Sequence, residues 1–420
     1  MIKAITGTKD ILPDENPRWK HLESVISNKM RSFNYREIRT PVFEETNLFS
    51  RGIGEATDIV SKEMYTFTDK GGKSLTLKPE MTSSVVRSYI EHSMEAKQNL
   101  NKLYYIAPMF RQERPQAGRL RQFHQFGAEA IGSSSPMLDT EIILLAYEII
   151  TSLQLKDISV KINSLGIPES RENYKNILRK FLESKLKKLS EDSRKRFDTN
   201  ILRIFDSKDE TDQEIMSKAP LLIDYLDDES LKHFEEVKNF LNEAGIPYYI
   251  DAKLVRGLDY YTKTTFEIIS NSVGAQSALC GGGRYDLLAE QLGGKPTPGV
   301  GFAAGMERIL LACENEQVFK IPNDDISMYI VRIEEKLNKE VFNLGLYFRK
   351  ENIPVEIDYL QRSVKAQMRE ANKLNARYVL LVGGEEYLKG KLIFKNMQNS
   401  EQELVNFDQL AYIVQKFRDF

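Results

Sequence analysis

Between residues 17 and 35, Trp19, Leu22, Val25, Ile26, Met30 and Phe33 recur at three- and four-residue steps. This spacing predicts an amphipathic helix, entered through Pro13 and Pro17. YREIRTPVFEE then alternates, with Ile38 and Val42 on one parity, and predicts a strand in which Pro41 marks an edge or an interface. EMYTFTDKGGKSLTLKPE reads as two short strands across a Gly-Gly turn. A helix over TSSVVRSYIEHSM follows, then strands over LYYIAPMFRQE and RQFHQFGAEAIG joined by the turn RPQAGR. DTEIILLAYEIITSLQL predicts a strong helix with Asp139 placed to cap it, and DISVKINSL alternates as a strand.

Residues 166–245 change character: they are rich in Lys and Glu, carry amphipathic patterns such as RENYKNILRKFLESKLKKL, and predict a helical insertion without strands. The sheet pattern resumes in the second half of LVRGLDYYTKTTFEI, passes a Gly-rich turn CGGGRYD, and continues into GVGFAAGMERILLAC, a strand running into a helix. The stretch 314–326 is polar, with a linker placed at 317–326. Beyond it the pattern predicts strand 327–333, helix 336–351, strand 354–358, helix 362–375, strands 377–382 and 391–395, and helix 407–417. Alternating strand and helix predicts a small α/β domain with a mixed sheet.

Length and composition narrow the class. A chain of 420 residues, 41% hydrophobic and 29% charged, predicts a large soluble globular protein of about two or three domains. The net charge of −2 argues against a non-specific polyanion binder, while leaving room for a local basic groove. Only Cys280 and Cys313 and four histidines are present, without metal-type spacing, so neither a disulfide scaffold nor a metal site is expected. MIKAITGTKDILP has no apolar targeting region and no long uncharged apolar span occurs, which predicts a cytoplasmic protein with no membrane partner.

Three segments carry arginines where apolar residues would be expected. On FRQERPQAGRLRQFHQFGAE, period-two alternation puts Phe123, Gln125, Gly127 and Glu129 on one strand face, with Met109, Arg111 and Glu113 sharing a parity on the other arm. An exposed face with cross-strand ion pairs is one reading. The other is a guanidinium that grips phosphate beside a ring that stacks on a base. TLKPEMTSS places Glu80 and Thr82 before a helix; local sequence favours a helix start capped by Thr82, and the alternative is a carboxylate and hydroxyl that receive a substrate ammonium. In GVGFAAGMERIL the glycines do not have dinucleotide-fingerprint spacing, and Arg308 at a helix start calls for an anionic partner, either a nearby carboxylate or a phosphate. LVRGLDYYTKTTFEI adds Arg256 beside a glycine and Asp259 before two tyrosines. Arg111, Arg256 and Arg308 together, on strands that could share one sheet, call for more anionic charge than one carboxylate supplies, and a polyphosphate would provide it.

These segments carry a family resemblance that covers nearly the whole chain. REIRTPVFEETNLF, FRQERPQAGRLRQFHQFGAE and GVGFAAGMERILL resemble motifs 1, 2 and 3 of the class II aminoacyl-tRNA synthetases. LVRGLDYYTKTTFE and CGGGRYD resemble the two signatures specific to the bacterial-type histidyl-tRNA synthetase family; GTKDILP and YLQRSVKAQMREANKLNARYVLLVGGEE also fit. The resemblance implies an α+β catalytic domain with a six-stranded antiparallel sheet flanked by helices, in two parts, 1–165 and 246–316. It also implies the helical insertion 166–245 and a C-terminal α/β anticodon-binding domain over 327–420.

By the same resemblance, Arg111 and Arg256 are the catalytic arginines on the α-phosphate, with ATP held further by Glu113, Phe123 beneath the adenine, and Arg308 on the γ-phosphate. Glu80, Thr82, Gln125, Glu129, Arg256, Tyr260, Tyr261 and Tyr285 form the histidine set. Lys78 and Met81 stand where the family shows Arg and Gly, and Leu287 where Gly is common. The implied activity is ATP-dependent ligation of L-histidine to tRNA(His) through a histidyl-adenylate, by a homodimer, with Mg²⁺ accompanying ATP as substrate. A second reading is the non-catalytic regulatory paralogue of ATP phosphoribosyltransferase; it lacks the anticodon domain and usually the VRGLDYYT signature, both of which this chain carries.

Overall fold

The computed structural model describes residues 1–55, 57–116, 118–318 and 326–418, so most of the predicted linker 317–326 lies outside the described residues. The chain divides into two compact units, Met1–Ile321 and Pro322–Phe420.

In the first unit the strands are β1 (Arg36–Glu37), β2 (Phe43–Glu45), β3 (Tyr65–Thr68), β4 (Ser74–Leu77), β5 (Asn101–Phe110), β6 (Gln122–Ile131), β7 (Ile158–Ser164), β8 (Tyr248–Ile250), β9 (Thr262–Ser270), β10 (Ala278–Arg284) and β11 (Gly299–Gly305). Eight of them form one sheet in the order β1-β5-β6-β11-β10-β9-β7-β8. The expected six-stranded antiparallel sheet is therefore enlarged: the six central strands pair antiparallel, and short β1 and β8 add a parallel pairing at each edge. YREIRTPVFEE is not one strand. It breaks around Pro41, which lacks a ladder donor, into β1 and β2, and β2 joins the β3–β4 hairpin in a separate three-stranded sheet.

Strand periodicity divides the large sheet into two chemically different faces. Phe126, Ala128 and Ala130 of β6, Phe266 and Ile268 of β9, and Val300, Phe302 and Ala304 of β11 bury against Trp19, Leu22, Ile26 and Met30 of helix Asn16–Ser32. Ile142, Ile143, Ala146, Ile149 and Ile150 of helix Pro136–Ser152 join the same core. The intervening positions, among them Gln125, Gly127, Glu129, Thr265, Glu267, Gly281 and Gly301, point to the other side.

Asp139 does not cap its helix. The N-cap is Ser135, and Asp139 is wholly buried in the first turn, where its carboxylate pairs with Arg284 and accepts from or shares a proton with His233 Nε2 at 2.8 Å. Burial raises the Asp139 pKa, but Arg284 and His233 outweigh it and bring it below the ordinary value. The insertion is helical, with helices Pro168–Glu183, Glu191–Thr199, Glu210–Met216 and Asp228–Glu243 and no strand between β7 and β8 among the described residues.

The second unit has a five-stranded mixed sheet in the order Val355–Ile357, Met328–Arg332, Tyr378–Val382, Lys391–Asn396, Gln402–Asn406. The first three strands are parallel and the last two antiparallel. The strand Gln402–Asn406 and the short helix Gly384–Leu388 are additional to the predicted pattern. No helix among the described residues is long and apolar enough to cross a membrane.

Candidate active site

A cavity of ≈370 Å³ opens on the polar face of the large sheet. Glu80, Thr82, Arg111, Glu113, Phe123, Gln125, Arg256, Tyr260, Tyr261 and Arg308 all line it, although they come from segments up to 228 residues apart (308 − 80).

The floor is made by residues that keep side-chain volume low. Gly281 faces Glu267 on β9 and Ala303 on β11. A Cβ at Gly281 would land on the Arg256 guanidinium, and one at Gly301 would land on the Glu129 carboxylate. These glycines let two charged side chains lie flat on the sheet.

At one end of the cavity three arginines converge. Arg111 lies just past β5, donates from Nε to Pro79 O at 2.9 Å, and places its Cζ 5.3 Å from the centroid of the Phe123 ring. Arg119 pairs with the buried Glu113. Arg308, near the start of helix Met306–Asn315, donates from Nε to Gly118 O at 3.0 Å and from Nη1 to Ala278 O at 2.9 Å. Its neighbour Glu307 accepts from the His124 N–H at 2.9 Å, which ties the helix start to β6. Burial, and then the nearby charges of Arg119 and Arg111, lower the Arg308 pKa. Mutual repulsion among cations of this kind is relieved by a polyanion.

The other end is built around two buried carboxylates. Glu80 caps helix Thr82–Glu91 by accepting from the N–H groups of Thr82 (2.7 Å) and Ser83 (2.9 Å), so the cap comes from Glu80 and not from Thr82. The Thr82 hydroxyl donates instead to Glu129 Oε1 at 2.7 Å, and Tyr285 OH donates to Glu129 Oε2 at 2.6 Å. Glu129 and Tyr285 thus sit behind the lining and support it. Burial lifts the Glu129 pKa to about 8, with the Tyr285 and Thr82 hydrogen bonds opposing the rise and Glu80 adding to it. Burial likewise raises Glu80. Gln125 Oε1 is buried at the wall with no hydrogen-bond partner, an acceptor poised for a donor that a ligand would bring. Tyr260 packs its ring 4.7 Å from Tyr261 and 5.9 Å from Tyr285. Met81, 1% exposed, is part of the same wall.

Arg256 links the two ends. Its guanidinium pairs with Glu267 and its Cζ lies 5.5 Å from the Tyr261 ring centroid. Burial works against its charge, but Tyr261 and Glu267 outweigh it and hold the pKa above the ordinary guanidinium value. Glu267 is outside the expected site residues, and Arg119, expected from the motif 2 turn to meet the tRNA acceptor end, lines the same cavity. The signal for Glu267 lay in strand parity, since it alternates with core-facing Phe266 and Ile268.

An antiparallel sheet with an arginine-rich cavity on its open face, preceded by a proline-broken edge segment and followed by a separate α/β unit, is the arrangement of the class II aminoacyl-tRNA synthetases. A histidyl-tRNA synthetase family model matches residues 7–309, and an anticodon binding domain model matches residues 322–417. The chain belongs to the histidyl-tRNA synthetase family. It is 48% identical over 416 residues to the histidine--tRNA ligase of Halothermothrix orenii, covering 99% of each chain. The crystal structure of apo histidyl-tRNA synthetase from S. aureus superposes with a TM-score of 0.83 at 39% identity, over 99% of this chain and 100% of that one. A Bacillus halodurans structure described as an ATP phosphoribosyltransferase regulatory subunit/histidyl-tRNA synthetase shares the fold, with a TM-score of 0.65 at 20% identity over 92% of this chain and 99% of that one.

Proposed function

We propose that the chain ligates L-histidine to tRNA(His) at the expense of ATP, through a histidyl-adenylate. The observation that carries this reading is the single cavity in which a three-arginine end and a two-carboxylate end meet at Arg256. The family membership and the full-length relatives named histidine--tRNA ligase support it.

In the first step the histidine carboxylate attacks the α-phosphorus of ATP and pyrophosphate leaves. The substrate supplies its own nucleophile, so the protein contributes positioning and charge stabilisation. Arg111 and Arg256 flank the α-phosphate, Phe123 carries the adenine, and Arg308 meets the terminal phosphate; Glu113 lies beside the base. Mg²⁺ would come with ATP as part of the substrate and would offset part of the phosphate charge. The histidine ammonium lies against Glu80, Thr82, Gln125 and the charge on Glu129. Tyr260 and Tyr261 form the imidazole side, with Tyr285 behind them, and a wall built for a polar ring rejects analogues that cannot hydrogen-bond. In the second step a hydroxyl of the terminal tRNA ribose attacks the adenylate carbonyl and AMP leaves. The second unit is assigned to the anticodon, and the protein to the cytoplasm as a homodimer, in keeping with the family.

The regulatory-paralogue reading is not favoured. It does not account for the residues 322–417 that match the anticodon binding domain, and the likeness to the Bacillus halodurans structure is one of fold. Histidine-dependent exchange of pyrophosphate into ATP by the purified protein, followed by charging of tRNA(His), tests the assignment. A protein that binds histidine yet catalyses no exchange would reverse it in favour of the paralogue.

A further inference from the structure

The segment 251–261, which carries Arg256, has no regular secondary structure. Among the described residues, 255–258 form no backbone hydrogen bond at all. Val255, Arg256 and Leu258 line the ≈370 Å³ cavity on one side and a second cavity of ≈220 Å³ on the other. With space on both sides and no ladder bonds, the backbone of this strip has hydrogen-bond ties only at its ends, while Val255 and Leu258 pack against neighbouring apolar residues and Arg256 pairs with Glu267. One end is fixed where Asn163 Nδ2 donates to Leu254 O at 3.0 Å. The other has three ties. Asp259 N–H donates to Ile53 O at 3.0 Å, Asn200 Nδ2 donates to Asp259 Oδ1 at 3.4 Å, and Arg171 Nη1 donates to Tyr261 O at 2.7 Å. Asn200 and Arg171 both belong to the helical insertion, and Arg171, Lys175 and Arg203 are the cations that face the Asp259 carboxylate.

We propose that Arg171, supported by Asp259, is a positioning residue for Arg256: it fixes the end of the 255–258 strip so that the guanidinium stays over Gly281 and reaches the α-phosphate. The inference rests on the functional reading above and extends it, because it makes the first chemical step depend on where the insertion sits. It also gives Asp259 a task in the signature segment. The carboxylate lies between the insertion's cations and the strip, and its backbone N–H is bonded to the end of helix Thr46–Ile53.

The test is a double-mutant cycle on histidine-dependent pyrophosphate exchange. Arg171→Ala is expected to lower kcat by roughly 10- to 100-fold, the usual cost of a small misplacement. KM for histidine should change by less than about threefold, with the thermal midpoint close to wild type. Arg171→Lys, which keeps the charge and one donor, should recover part of the loss. In an Arg256→Ala background, Arg171→Ala should cost less than about threefold more, since nothing is left for it to position. Equal fractional losses in both backgrounds, or an Arg171→Ala enzyme with wild-type kcat, overturn the proposal. Should Arg171→Ala not fold, Arg171→Lys and Asp259→Asn take its place in the cycle with the same criteria. A wild-type protein without exchange would instead sink the functional reading and this inference with it.

Discussion

Thr82 donates its hydroxyl hydrogen to Glu129 Oε1 at 2.7 Å, so the first residue of a helix and the interior of a central strand share one carboxylate. With Tyr285 on the other oxygen, Glu129 is held in place and wholly removed from water. The carboxylate is thereby fixed beneath the cavity, where a substrate ammonium would decide its charge.

That arrangement predicts an unusual pH dependence. Burial lifts Glu129 from an ordinary value of 4.5 to about 8, so the folded protein binds this proton more tightly than the unfolded chain does. Its contribution to stability is complete below about 4.5 and is lost as pH rises through about 8. Thermal unfolding of the ligand-free protein should therefore show stability falling across the neutral range. Glu129→Gln should flatten that fall, because the amide has no proton to lose. A histidine ammonium favours the charged carboxylate, so saturating histidine should raise the wild-type midpoint more near pH 8 than near pH 6. A wild-type profile as flat as that of the variant would contradict this account.

Arg256→Ala should depress the exchange kcat by roughly 100-fold or more, as loss of a preorganised cation at a developing charge does. KM for histidine should change far less than kcat, because the ammonium contacts and the tyrosine wall remain in place. Arg256→Lys should remain well below wild type: a point charge cannot both pair with Glu267 and lie flat over Gly281. Steady-state exchange kinetics with histidine and ATP varied separately decide it. An Arg256→Ala enzyme that keeps most of its kcat would exclude the role.

Much of this site can be read from periodicity. Phe123, Gln125 and Glu129 occupy alternate positions of β6, so a strand reading already places them on one face, and the apolar residues between them define the core. Depth is harder to read. Glu129 shares a face with Gln125 yet lies under the lining, and only its partners Thr82 and Tyr285, which are remote in sequence, reveal that. Asp139 looks like a cap because it begins an apolar helix; what overrides the cap is Arg284, 145 residues away. The edge strands β1 and β8 are two and three residues long, too short for any alternation to show. Gln402–Asn406 is mostly polar because it is the last strand of its sheet, with only Val405 buried.

The Arg284–Asp139 pair makes a separate prediction about stability. Both side chains are fully buried; Arg284 also donates to Ser133 O at 2.9 Å and to Asp286 Oδ1 at 3.0 Å. Removing Arg284 leaves the buried Asp139 carboxylate with His233 as its remaining partner, too little to offset its charge. Arg284→Met should therefore destabilise by ~3–5 kcal/mol in urea unfolding. The double variant Arg284→Met, Asp139→Leu should recover part of that loss, since a buried pair replaced by apolar groups is often near neutral. If the single variant unfolds like wild type, the pair is not the anchor its burial implies.

Gly281→Ala separates activity from folding most sharply. The three atoms nearest the new Cβ all belong to the guanidinium of Arg256, the far end of a flexible side chain with cavity space on both sides into which it can move. The protein should fold with a midpoint close to wild type while the exchange kcat drops about tenfold or more, because the displaced guanidinium no longer meets the α-phosphate. Gly301→Ala provides the contrast. Its Cβ would meet the Glu129 carboxylate and also the Ala128 carbonyl oxygen at 2.6 Å, and a backbone atom within a sheet cannot yield as a side-chain tip can. That variant should lose stability by ~1–3 kcal/mol, as overpacking does. Measuring kcat and the unfolding midpoint for both variants tests the reading of the cavity floor. Gly281→Ala with wild-type kcat would show that Arg256 acts from some other position than the one over Gly281.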